Sequence, residues 1–219
     1  MKKIVIIDGG ARKTYNLAAL LESFKEGVKC VIPSAEIEHV HLFDLNYHGC
    51  VSCMSCKLAG GKNIGQCAQK DDLSPVLESL KTADGIAFAS PAYFCNVTGQ
   101  LRSAMERMLF PWLSYKTFQV STPNRVPTAT FYTMNATPEH SEQFGQDAAF
   151  DQFEKLIITG WTQPERVCAY NTCQVKDYSR YDFMEGLGEA KAKWREENFE
   201  ADRKRAFDAG IHMAEKILL

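Results

Sequence analysis

Three stretches of the chain hold the residue types from which a chemical site could be built. The first is Asp8-Gly9-Gly10-Ala11-Arg12-Lys13-Thr14-Tyr15-Asn16, where paired glycines precede two cations, a hydroxyl and an amide. Gly9 and Gly10 let a backbone approach a ligand closely, and Arg12, Lys13, Thr14 and Asn16 can donate hydrogen bonds, so the segment suits an anion such as a phosphate monoester. A solvated turn with two surface cations is the plainer alternative. The second is Ser90-Pro91-Ala92-Tyr93-Phe94-Cys95-Asn96-Val97-Thr98-Gly99-Gln100. Its aromatics could flank a planar heterocycle while loop amides bond the ring edge, or Tyr93 and Phe94 could simply pack into the core. The third is Cys50-x2-Cys53-x2-Cys56, followed ten residues later by Cys67.

Four thiols in one polar, glycine-containing loop can converge on one inorganic core, and four thiolates are the usual ligation of a [4Fe–4S] cluster. Gly60, Gly61 and Gly65 give the long final gap the freedom to bring Cys67 back. Free reduced thiols remain open as a reading. Zinc fits less well, because its usual signature is two separated cysteine pairs. His48 is read as a surface or packed histidine.

These segments need elements to place them. Ile4 to Ile7 is an unbroken aliphatic run, as in a central parallel strand covered on both faces. Leu17, Leu20, Leu21 and Phe24 then recur at helical spacing until Gly27, so the first loop joins a strand to a helix amino terminus, where anions bind. Further strands are expected at His39 to Phe43, Gly85 to Ser90, Thr128 to Met134 and Val167 to Tyr170. Ser74 as cap with Pro75 opens a helix through Leu80. Leu101, Met105, Met108 and Leu109 stripe another, and Phe150, Phe153, Leu156 and Ile157 a third that stops near Gly160. The last thirty residues read as a charged helix with Trp194, Phe199, Phe207, Ile211 and Ile217 along it, its charge runs a solvated face. Alternating strands and helices give an α/β doubly wound parallel sheet, whose ligands bind beyond the carboxyl ends of the strands.

The first loop, Pro91 to Val97 with Thr98-Gly99-Gln100-Leu101, and the cysteine segment together resemble the NADPH-dependent FMN reductase and iron-sulfur flavoprotein family. Tyr132-Thr133-Met134-Asn135 and Asp177-Tyr178-Ser179-Arg180-Tyr181 extend the resemblance along the chain. It implies a flavodoxin-like three-layer sandwich with a five-stranded sheet of order 2-1-3-4-5, non-covalent FMN, NAD(P)H as co-substrate, and a homodimer or higher homo-oligomer. It assigns cofactor contacts to Gly10, Ala11, Arg12, Lys13, Thr14 and Asn16, to Pro91, Ala92, Tyr93, Phe94, Cys95, Asn96 and Val97, and to Met134 and Asn135. Cys50, Cys53, Cys56 and Cys67 are its candidate cluster ligands. The chain departs from the family's pattern at Gly10, Ala11 and Leu17, where two phosphate-binding hydroxyls are missing, so backbone amides must carry more of the phosphate.

The expected activity is hydride transfer from NAD(P)H to FMN, then electron transfer to a quinone, a flavin or a similar small acceptor. The alternatives are an electron carrier with FMN and a four-cysteine cluster served by a ferredoxin-like partner, and a non-catalytic binding module. No catalytic side chain is named, because the flavin itself accepts hydride. No Gly-x-Ser-x-Gly elbow, GxGxxG fingerprint or triphosphatase loop occurs.

With 219 residues and 45% hydrophobic content, one domain spanning 1–219 is expected, with a cysteine loop at 44–72 and an extension and helix at 171–219. A net charge of −2, from 25 basic and 27 acidic residues, argues against nucleic-acid or anionic-membrane partners. No apolar run suits an export signal or a membrane span, so a cytoplasmic location is the expectation.

Overall fold

The computed structural model describes residues 1–219. Five parallel strands, β1 (Lys3–Asp8), β2 (Glu36–His41), β3 (Gly85–Pro91), β4 (Thr128–Thr133) and β5 (Glu165–Ala169), form one sheet of order β2-β1-β3-β4-β5. This is the flavodoxin-like order that the resemblance implied. Helices α1 (Asn16–Val31), α2 (Leu73–Leu80), α3 (Gly99–Leu109), α4 (Pro138–Gln143), α5 (Gln146–Gly160) and α6 (Leu187–Leu218) complete the fold.

The sheet is buried on both faces, which explains the unbroken aliphatic run in β1. Val5 and Ile7 point to a core shared with Leu101, Met105, Phe153 and Trp161 of the α3 and α5 side. Ile4 and Ile6 point the other way, toward Leu20, Leu21 and Phe24 of α1 and Ala209, Met213 and Ile217 of α6.

Several expected boundaries move, and the fifth strand runs from Glu165 to Ala169 rather than from Val167 to Tyr170. The second strand runs from Glu36 to His41, and Leu42–Asp44 is a 3-10 turn. β1 sets this register, pairing Lys3 with Glu36 and Asp8 with His41, so the ladder ends where β1 ends. Polar residues dominate because β2 is an edge strand, and that disguised its start. Helix α2 begins at Leu73, with Asp72 rather than Ser74 at the cap. The Ser74 hydroxyl instead accepts the Asp71 N–H at 3.1 Å and donates to the Gln69 carbonyl at 2.9 Å.

The charged helix α6, expected to carry Trp194, Phe199, Phe207, Ile211 and Ile217 along a helix with a solvated face, lies against α1 and buries Phe199 and Ile217, and Gly27 and Gly210 sit at the crossing. A Cβ on Gly27 would come within 2.0 Å of the Phe207 carbonyl oxygen, and one on Gly210 within 2.2 Å of the Phe24 carbonyl oxygen. Two backbones this close tolerate no side chain between them. No helix of the structure is long and apolar enough to cross a membrane.

Gly27→Ala and Gly210→Ala should each lower stability by about 1–3 kcal/mol or more, because the backbones must separate. Urea unfolding followed by circular dichroism checks this, and a midpoint within error of the parent chain would contradict the packing described.

Candidate functional site

The strand ends β1, β3 and β4 open onto a cavity of about 190 Å³. Gly10, Ala11, Arg12, Tyr15, Asn16 and Leu17 form one wall, Pro91, Ala92 and Tyr93 a second, and Thr133, Met134 and Asn135 a third. Thr172, Cys173 and Gln174, from the loop after β5, close it.

The first wall turns at Asp8. Its buried carboxylate accepts the Gly10 N–H at 2.7 Å through Oδ1, which bends the chain away from β1. Gly9 donates to the Ala89 carbonyl at 2.8 Å, and its own carbonyl accepts the Thr98 hydroxyl at 3.0 Å. The paired glycines therefore serve packing: a Cβ on Gly9 would meet Thr98 Oγ1 at 2.6 Å, and one on Gly10 would meet Leu17 Cδ2 at 2.9 Å. Gly10 and Leu17 thus fit one another, and the two missing hydroxyls are one packing choice rather than two losses.

From Ala11 to Tyr15 no backbone N–H donates a hydrogen bond, and the first helical bond of α1 runs from Ala19 N–H to the Tyr15 carbonyl at 3.0 Å. Asn16, Leu17 and Ala18, in the first turn of α1, have no helical residue four positions behind them to donate to. Tyr15, at the cap, supplies no side-chain bond to them. Eight consecutive donors at a positive helix end are an anion site made of backbone.

The side chains expected to help them are divided. Arg12 reaches the cavity edge, where its guanidinium bonds the Gln174 carbonyl and lies 5.1 Å from the centre of the Tyr15 ring. Asn16 donates to the Cys173 carbonyl at 2.7 Å and accepts from Arg195 at 2.8 Å, so it ties the first loop to the last. Lys13 lies outside the cavity, paired with Asp44 at 2.6 Å. Thr14 opens instead onto an adjoining cavity of about 770 Å³ that also receives Lys176 and Arg195.

The second loop divides likewise. Tyr93 and Asn96 bond each other backbone to backbone at 2.8 and 3.1 Å, and the turn between them puts Phe94 and Cys95 at φ of 49° and 61°. Both values lie in the left-handed region that non-glycine residues rarely adopt. Phe94 projects fully into solvent, so neither reading of it as a packed or ring-flanking aromatic holds in this conformation. Cys95 and Asn96 belong to the turn, and Val97 is buried in the α3 core rather than facing the cavity.

The third wall is held from α6, which the sequence pattern did not suggest. Lys191 is 1% exposed, and its ammonium donates to the Asn135 carbonyl at 3.0 Å, Asn171 Oδ1 at 2.7 Å and the Thr172 carbonyl at 3.4 Å. Burial lowers its pKa, and the nearby Cys173 thiol opposes that shift. Thr172 returns two bonds to the Met134 carbonyl, at 2.9 Å from N–H and 3.1 Å from the hydroxyl.

All four clustered cysteines, Cys50, Cys53, Cys56 and Cys67, line one small cavity of about 20 Å³. Ser52 and Met54, on either side of Cys53, take φ of 55° and 58°. Arg107 of α3 pins both ends of the loop, donating to the Cys67 sulfur at 3.3 Å, the His48 carbonyl at 3.0 Å and Asp71 Oδ1 at 3.0 Å. Burial raises the Asp71 carboxyl, but Arg107 outweighs it and holds the pKa below the usual range. Burial pushes the Cys56 thiol up. A zinc tetrathiolate would place its sulfurs about 3.8 Å apart, given Zn–S bonds of about 2.3 Å. These four do not meet within 4.8 Å of one another. In a four-iron cluster each thiolate binds a different iron, so wider spacing suits it, whereas the present cavity has room for about one water.

The profile of the family described as NADPH-dependent FMN reductase matches residues 2–122. An iron-sulfur flavoprotein of Archaeoglobus fulgidus is 38% identical over 105 residues, which are 48% of this chain and 48% of that protein. One of Methanocaldococcus jannaschii is 32% identical over 106 residues, 48% of this chain and 51% of its own. The chain thus spans about half the length of the curated relatives it matches. Among solved structures, an NAD(P)H:quinone oxidoreductase from Methanothermobacter marburgensis superposes with a TM-score of 0.69 at 15% identity, covering 96% of each chain. An FMN-dependent NADH-azoreductase from Bacillus anthracis, solved in complex with FMN, gives 0.65 at 14% identity, covering 98% of this chain and all of that one, a likeness of fold. The matched profile takes in the anion loop, the cysteine loop and the Pro91 to Val97 turn, and the chain belongs to the NADPH-dependent FMN reductase family.

Proposed function

We propose that the chain, acting as a single domain over residues 1–219, is an FMN-dependent NAD(P)H oxidoreductase. The observation that carries this reading is the run of acceptor-free N–H groups from Ala11 to Ala18, of whose residues Ala11, Arg12, Tyr15, Asn16 and Leu17 line a cavity bounded by Pro91 to Tyr93 and by Met134 and Asn135. Those donors fit a phosphate monoester, and the walls beside them fit a flat ring. When bound, FMN supplies the hydride acceptor for NAD(P)H and the electron donor for a quinone, a flavin or a similar small acceptor.

The chain's own residues bind and position. The backbone N–H groups of Ala11, Arg12, Tyr15, Asn16 and Leu17 would hold the phosphate, with the Arg12 side chain at the cavity edge. Gly10 keeps the loop close to β1. Pro91, Ala92, Tyr93, Met134 and Asn135, which line the cavity, would contact the ring. Lys191 holds the Asn135 and Thr172 carbonyls in place from behind. Family membership also supports a homodimer or higher homo-oligomer, and the net charge of −2 argues against nucleic-acid partners; a cytoplasmic location is part of this reading.

The second reading is an electron carrier in which Cys50, Cys53, Cys56 and Cys67 ligate a [4Fe–4S] cluster that exchanges electrons with a ferredoxin-like partner. Its support is the convergence of all four thiols on one cavity, together with similarity to proteins named iron-sulfur flavoproteins. The loop would have to open to admit a cluster, since the cavity is about 20 Å³.

Protein purified without oxygen should be yellow and bleach on addition of NADPH or NADH; a colourless chain that takes up no FMN would overturn the first reading. Iron and acid-labile sulfide near four of each per chain would favour the second, and absence of both would remove it. Lys191→Met leaves the Asn135 and Thr172 carbonyls without their donor, which should weaken FMN binding on the order of tenfold in a fluorescence titration.

A further inference from the structure

Asp8 has a second set of partners, on the edge strand β2. His39 and His41 are two apart on β2, so both side chains leave the same face of the strand. The parallel register sets Asp8 opposite His41 and Ile6 opposite His39. One carboxylate oxygen and two imidazoles therefore meet at the carboxyl end of the sheet's edge. His39 Nε2 lies 3.0 Å and His41 Nδ1 lies 3.1 Å from the same atom, Asp8 Oδ2. The side chains of Asp8, His39 and His41 are 2%, 16% and 19% exposed. This is the one group of three or more such donors in the chain whose ligand atoms all lie within 4.8 Å of one another.

We propose that Asp8, His39 and His41 form a binding site for a divalent transition metal of the zinc class, separate from both the flavin cavity and the cysteine loop. Three N and O ligands at about 2.1 Å from one ion lie roughly 3.0 to 3.4 Å apart, depending on whether the ligand angles are octahedral or tetrahedral. The two N···O spacings on Asp8 Oδ2 fall within that interval at 3.0 and 3.1 Å. A hydrogen-bonded Asp8–His39 pair accounts for His39 alone. It leaves His41 Nδ1 buried without a hydrogen-bond partner although an oxygen is 3.1 Å away. A ring nitrogen that is close to an oxygen but not aimed at it behaves as one whose lone pair points to a third position that both can share. The other carboxylate oxygen is already fixed by the Gly10 N–H at 2.7 Å, the kind of outer hydrogen bond that orients a metal-binding carboxylate.

Two imidazoles and one carboxylate suit Zn²⁺ and its neighbours Co²⁺ and Ni²⁺ better than Mg²⁺ or Ca²⁺, which prefer oxygen. Three protein ligands leave a fourth position for water. The ion would clamp the Asp8–Gly10 turn to β2, and the anion loop begins at that turn.

The test is a Co²⁺ and Zn²⁺ titration of the full-length chain after treatment with a chelator. Thiolate and N/O ligation are separated by the near-ultraviolet charge-transfer band that Co²⁺–thiolate bonds add. The expected result is one equivalent bound with visible bands lacking that charge transfer, retained in Cys53→Ser and Cys67→Ser and weakened at least tenfold in His39→Ala and His41→Ala. His41→Ala is the deciding variant, because it removes no hydrogen bond from the folded chain. Metal uptake unchanged in His41→Ala, uptake lost only in the cysteine variants, or no uptake by the parent chain would each overturn the proposal.

Discussion

A backbone N–H withdrawn from water needs an acceptor. At the carboxyl end of this sheet the N–H groups from Ala11 to Ala18 find none within the chain, and of these Asn16, Leu17 and Ala18 belong to buried residues. Neighbouring features are arranged around that deficit. Asp8 satisfies the Gly10 N–H and thereby directs the loop off β1, while Gly9 is held by Ala89 and Thr98. With both ends of the turn bonded, the donors beyond it are held in one arrangement, as an oxyanion site requires.

Placing those donors also requires α1 to stay where it is. Its contact with α6 is a backbone-to-backbone crossing at Gly27 and Gly210, which fixes the two helix axes with no side chain between them. From that crossing α6 runs back to Arg195 at Asn16 and Lys191 at Asn135. One helix therefore anchors the first and third walls of the cavity together. A loss of packing at the glycines would be felt at the site, some distance along the same helix.

Much of this was legible in the residues. The aliphatic run Ile4–Ile7 and the stripe from Leu17 to Phe24 announced a strand, a loop and a helix, and the anion loop followed from helix-end physics. Strand order came from the family resemblance. What escaped was whatever depended on distant partners. Lys191 and Arg195 looked like two more charges on the helix's solvated face, because nothing local marks a lysine that will be buried under two loops. Lys13 looked like a phosphate ligand because its partner Asp44 lies beyond β2. The pairing of Gly10 with Leu17 is visible only once both occupy one turn, and Asp8, His39 and His41 meet only through strand register. Phe94 was read as packed or ring-flanking, and a turn at positive φ turned it outward.

The claim on which the account rests is that backbone donors, rather than the cationic side chains, hold the phosphate. Amide nitrogen–proton spectra of the ¹⁵N-labelled chain titrated with FMN and, separately, with riboflavin test it directly. The expected result is that FMN shifts the Ala11 to Ala18 resonances strongly downfield in the proton dimension, whereas riboflavin leaves them near their free positions. Equal shifts in that segment with both ligands, or none with FMN, would contradict it.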